Sequence, residues 1–106
     1  MKIFLKLIVS ITMLVSVYEL AAKTPIPQPL VRNKNCPTGY HVSGQYCVPS
    51  DTARFALPRV GSCPSGYHAS NNYCVASHDG STLAILKKGT CPSGFYQSAQ
   101  YCVSHR

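Results

Sequence analysis

A thirteen-residue phrase occurs three times in this chain, at 36–48, 63–75 and 91–103, and the copies align without a gap. Each copy sets two cysteines eleven positions apart. Proline follows the first, then Ser or Thr, glycine and an aromatic. A serine follows midway, and Tyr-Cys-Val closes the phrase. All six cysteines of the protein belong to it. The repetition also reaches upstream. Four positions before each first cysteine stands a cation (Arg32, Arg59, Lys87), and six before it an aliphatic (Leu30, Leu57, Ile85). Copies two and three lead in with Gly61-Ser62 and Gly89-Thr90, where copy one has Lys34-Asn35. The full period is 27 to 28 residues, with one residue inserted in the third copy. A unit of this size cannot bury an apolar face alone. Stacked neighbours can bury a shared one, and three units is about the minimum for that.

Within a unit the local signals are turn and strand. Cys-Pro-Ser-Gly sets Pro and Gly where a type I turn uses them. Tyr40 and Val42 then alternate with His41 and Ser43 at strand period. The tips read Ser43-Gly44-Gln45, Ser70-Asn71-Asn72 and Ser98-Ala99-Gln100. Gly and Asn accept positive φ and suit a tight hairpin. Ala99 does not, so the third hairpin is expected to need a wider loop. Residues 54–60 and 81–86 are each expected to add a short strand, the first confined to a sheet edge by Pro58. The stretch 82–88 also fits a helical turn. No apolar stripe of helical period follows residue 22. The expectation is an all-β, small disulfide-rich fold of three tandem disulfide-pinned β-hairpins.

The chain has 106 residues, room for a single domain at most. Residues 1–22 read as a signal peptide: Lys2 and Lys6 precede an apolar run at 7–17, and Ala21-Ala22 offer small residues for cleavage. An uncleaved membrane anchor is the alternative, but residues 7–22 are short for a full span. Prolines at 25, 27 and 29 make residues 23–31 an extended, polyproline-like lead-in, mobile at its start. Residues 32–106 form the stapled three-repeat domain. The formal net charge is +7, and loss of residues 1–22 would leave +6. Such a surface favours anionic partners, although charges spread along a chain serve solubility equally well.

Six cysteines in a short exported chain point to a disulfide framework and a secreted or periplasmic location. Repetition favours pairing within each unit: Cys36 with Cys47, Cys63 with Cys74, Cys91 with Cys102. Pairing between neighbouring units competes with it. Chain-entropy reasoning gives each short loop roughly 3 kcal/mol, which for three loops rivals the stability of a small domain. A zinc site would bring two ligands close together in sequence, and no such spacing occurs, so no metal or cofactor is expected. Catalysis has little support, since bridged cysteines are not nucleophiles and only Asp51 and Asp79 remain as acids after residue 22.

Two sets of residues remain as binding candidates. Arg32, Arg59 and Lys87 would form a stripe if the units stack in register. Their bland reading is a solvated strand face. Tyr96 replaces the histidine of the other copies (His41, His68) and is not explained as core. The other repeated aromatics (Tyr40, Tyr67, Phe95; Tyr46, Tyr73, Tyr101) are expected to pack over the disulfides. Cys-Pro-Ser-Gly-Tyr…Tyr-Cys-Val with its Gly-Ser lead-in resembles tandem motifs of small exported bacterial proteins, over residues 50–103 and part of the first copy. The resemblance implies no activity. The expected function is a non-enzymatic binding or structural module at the cell envelope or outside the cell. Its partner would be an anionic envelope polymer, a glycan or a protein, with no specific nucleic acid. A cationic toxin-like or antimicrobial effector, or an inhibitor presenting one hairpin tip, are the alternatives.

Overall fold

A computed structural model describes residues 25–106. The expected signal peptide and the first two residues of the proline-rich lead-in lie outside the described residues. Each repeat is one three-stranded antiparallel sheet. The first holds β1 (Leu30–Val31), β2 (Tyr40–Ser43) and β3 (Tyr46–Pro49). The second holds β4 (Ala56–Pro58), β5 (Tyr67–Ser70) and β6 (Tyr73–Ala76), and the third β7 (Ala84–Leu86), β8 (Phe95–Ser98) and β9 (Tyr101–Ser104). The strand after the hairpin tip is central in every sheet, with the upstream strand on one side and the first hairpin strand on the other.

The turn before each hairpin closes identically. The N–H groups of Tyr40, Tyr67 and Phe95 donate to the carbonyls of Pro37, Pro64 and Pro92, each at 3.1 Å. The glycine of each turn (Gly39, Gly66, Gly94) sits at φ 85–88°, a region closed to most side chains. Residues 84–86 are strand and not a helical turn. Pro58 lies on an edge strand, where its missing N–H leaves no ladder gap. Unit one also has an upstream strand. The extended lead-in ends in β1, with Leu30 opposite Cys47.

The third tip departs from expectation. Ser98 pairs with Tyr101, as Ser43 pairs with Tyr46 and Ser70 with Tyr73, so all three loops have two residues. Ala99 takes φ 55°, matching Gly44 (59°) and Asn71 (57°). The ladder on both sides fixes the register, and the turn follows it despite the unfavourable residue. The three disulfides are Cys36–Cys47, Cys63–Cys74 and Cys91–Cys102, with Cα atoms 5.5–5.6 Å apart. The S–S bonds tie the turn to the central strand of the same sheet.

Strand alternation sends the closing Tyr-Cys-Val to two faces. Cysteine points forward to the next unit, and tyrosine and valine point back to the previous one. At the first junction, Leu30, Cys36, Tyr40 and Cys47 of unit one meet Ala53, Ala56, Tyr73 and Val75 of unit two. At the second, Leu57, Cys63, Tyr67, Cys74 and Ala76 meet Ala84, Tyr101 and Val103. The hydrophobic core is therefore two interfaces between sheets, and no sheet has a core of its own.

Polar locks accompany each interface. Tyr73 Oη donates to Val31 O (2.8 Å) and accepts from Asn33 N–H (2.8 Å). Tyr101 Oη repeats this on Pro58 O (2.7 Å) and Val60 N–H (2.8 Å). The same rings lie against the preceding disulfide, with Oη 3.8 Å from Cys47 Sγ and 3.7 Å from Cys74 Sγ. Tyrosine thus packs over its neighbour's disulfide. In the opposite direction Tyr40 Oη donates to Arg54 O (2.8 Å) and Tyr67 Oη to Thr82 O (2.6 Å).

Candidate functional site

The three repeated cations occupy one backbone place. Arg32, Arg59 and Lys87 follow the upstream strand, and each N–H donates to a tip carbonyl: Gln45 O at 2.8 Å, Asn72 O at 2.9 Å and Gln100 O at 2.9 Å. Two of the side chains repeat as well. Arg32 Nε donates to Gly44 O (3.2 Å) and its Nη1 reaches Lys34 O (3.5 Å). Arg59 Nε donates to Asn71 O (3.2 Å) and its Nη1 to Gly61 O (3.4 Å). The guanidinium fork clasps the tip and the lead-in turn together, which a lysine ammonium lacks the geometry to copy. Both arginines are exposed and Lys87 is half-buried. Each unit therefore carries one of these cations beside its own hairpin tip.

Tyr96 lies elsewhere. It pairs with Val103 near the base of the third hairpin, away from the tip. Its ring rests on His105, with centroids 5.0 Å apart and planes tilted by 40°. The two rings share a cleft at the second junction with His78, Ser65, Ser81 and Thr82. The equivalent cleft at the first junction is lined by Thr38, Thr52, Arg54 and His68. His68 Nδ1 meets Ser77 Oγ there at 3.0 Å, both exposed. The four candidate residues thus form no single site: three lie each beside the tip of its own unit, and Tyr96 belongs to an inter-unit cleft.

His78 and His105 lie outside the repeat pattern, and the sequence offered no reason to join them to Tyr96. Ladder register supplies it, since His105 N–H donates to Gly94 O (2.9 Å) beside β8. Arg54 stands outside the repeated cation row. Its Nη1 donates to Ser77 O at 2.5 Å and its Nη2 lies 3.5 Å from Asp79 Oδ1, an exposed pair worth little by itself. Among the described residues no group of three or more His, Cys, Asp or Glu could hold a metal ion.

No cysteine is free. Three disulfides fit an oxidising extracellular or periplasmic environment. No helix among the described residues is long and apolar enough to cross a membrane. Comparison of the chain with protein-family models, with curated proteins and with solved structures returns no match.

Proposed function

We propose that this protein is exported and works as a non-enzymatic binding module, holding an anionic polymer or glycan of the cell envelope along its tip edge. The observation that carries the reading is the identical clasp of Arg32 and Arg59 on their hairpin tips. A clasped guanidinium has given up much of its side-chain freedom before any ligand arrives, which lowers the ordering cost of binding. One cation per unit, clasped in units one and two and a lysine in unit three, suits a ligand that repeats its own charge. Weak contacts at each unit then combine through effective concentration. The tips support an edge-on ligand better than a single-tip contact. Asn71 Nδ2 donates to Cys36 O (2.9 Å) and Asn72 Nδ2 to Asn33 O (3.1 Å), so the second tip is held against unit one. Closed cysteines leave no thiolate nucleophile, which supports a non-enzymatic role.

The test is retention of the oxidised protein on an immobilised sulfated glycan. Elution is expected at moderate salt, and Arg59→Ala is expected to elute several-fold earlier. Arg59→Lys, which keeps the charge, should stay closer to the parent protein. Retention unchanged between ~0.05 and ~0.5 M salt, where screening lengths fall steeply, would overturn the reading.

A further inference from the structure

Among the described residues, the outer faces of units one and three are two half-built junctions, and they complement each other. At the first end stands Tyr46, the counterpart of Tyr73 and Tyr101. Those two rings are 1% and 0% exposed, whereas Tyr46 is 52% exposed. At the other end, Ile85 takes the place of Leu57 but is 37% exposed against 8%. Pro37 and Pro64 are fully buried beneath the next unit, whereas Pro92 lies open. An open cleft runs beside it, lined by Lys87, Gly89, Thr90, Cys91, Phe95 and Gln97. The backbone groups that would receive a tyrosine are also there. Leu86 O and Lys88 N–H match Val31 O with Asn33 N–H and Pro58 O with Val60 N–H.

We infer that copies of this chain associate head to tail, with Tyr46 of one copy seated over the Cys91–Cys102 disulfide of the next. The occupant is a second copy because the same contact already forms twice inside the chain, and each end supplies the half that the other lacks. Ser43 completes the match. Ser70 Oγ accepts from Thr38 N–H (3.0 Å) and Ser98 Oγ from Ser65 N–H (2.8 Å), and Ser43 brings the same oxygen to Ser93 N–H. Terminal units of a closed stack would carry polar outer faces. Here one end presents a tyrosine and the other Ile85 and Phe95. The contact joins unlike faces, so it does not close on a two-fold dimer and adds copies beyond two, as an open filament or, where the rotation per copy closes, a ring.

The joint between copies is weaker than the joints within one. Phe95 has no hydroxyl to match Tyr40 or Tyr67, and Gly44 has no side chain to match Asn71. No peptide link holds the partners together. Assembly is therefore reversible and concentration-dependent. The inference rests on the stacking interface alone and is independent of the polymer-binding reading.

Sedimentation of the purified oxidised protein over a concentration series tests it. The weight-average mass should climb without a plateau at the dimer. Tyr46→Asp and Ile85→Asp should each remain at the mass of one chain. An equimolar mixture of the two should form a dimer and stop, since each variant keeps one sound end. Tyr46→Phe, which leaves the exposed ring in place, should associate roughly tenfold more weakly for its lost hydrogen bonds. A protein that stays monomeric up to about 1 mM, the weak end of specific binding, overturns the inference. So does a dimer that grows no further, or association that Tyr46→Asp leaves intact.

Discussion

Burial pushes the Tyr67 phenol up to about 12, against a smaller opposing effect from the backbone of Ala84. Tyr40 moves the same way for the same reason. Folding therefore favours the protonated phenols. Their contribution to stability is complete below the ordinary phenol value of about 10 and is lost as pH rises through the folded value. Urea midpoints should be flat with respect to these groups in neutral solution and fall between pH ~10 and ~12. Tyr67→Phe should remove much of that alkaline slope, and a slope identical in the variant would contradict the assignment. A second residue-scale effect sits at Ala99. An L-residue other than Asn or Asp held at φ 55° is strained by about 1 kcal/mol, where glycine is not. Ala99→Gly should raise the thermal midpoint, whereas Gly44→Ala should lower it by a similar amount. No gain from Ala99→Gly would mean that the third tip does not hold the left-handed turn.

At each junction one fully buried tyrosine joins a sheet to the one before it through two hydrogen bonds. Tyr73→Phe keeps the ring and removes both hydrogen bonds, leaving Val31 O and Asn33 N–H without their partner. The expected loss is about 1–3 kcal/mol, read from urea unfolding, with Tyr101→Phe giving a similar value. A loss below a few tenths would show that water replaces the hydroxyl freely. This role was only half legible in the sequence. Strand alternation is local and the cysteine pattern repeats in each unit, so the hairpins were legible and pairing within each unit was favoured over pairing between units, as the three disulfides have it. Tyr46, Tyr73 and Tyr101 look alike because their neighbours in sequence are alike. What separates them is whether a unit lies behind, and that is a property of the stack. The tip of the third hairpin failed for a related reason: ladder register outweighs the turn preference of one alanine. The arginine clasp was legible as an offset from cysteine, but not as a contact, because it forms only when the tip folds back beside β1 or β4.

Across the whole molecule, stability is shared between neighbours and not pooled in one core. Unit two is covered on both faces, by Tyr40 and Cys47 on one side and by Tyr101 and Val103 on the other. Among the described residues, units one and three are each covered on one face only. Opening a disulfide costs roughly 3 kcal/mol of chain entropy wherever it lies. The consequences beyond that depend on position. Loosening unit three through Cys91→Ala with Cys102→Ala weakens one junction and leaves the other standing. Loosening unit two through Cys63→Ala with Cys74→Ala weakens both, because its sheet carries the forward face of one junction and the rear face of the other. The middle pair should therefore lower the thermal midpoint more than either end pair, measured at concentrations too low for copies to associate. Native-state hydrogen exchange on the end variant should show unit three opening while β3 and β6 remain protected. Three equal midpoints would mean that the hairpins hold themselves together one by one, and that the tyrosine locks add little to the fold. A lower midpoint for the middle pair ties stability to the same contact that leaves Tyr46 open at one end and Ile85 at the other.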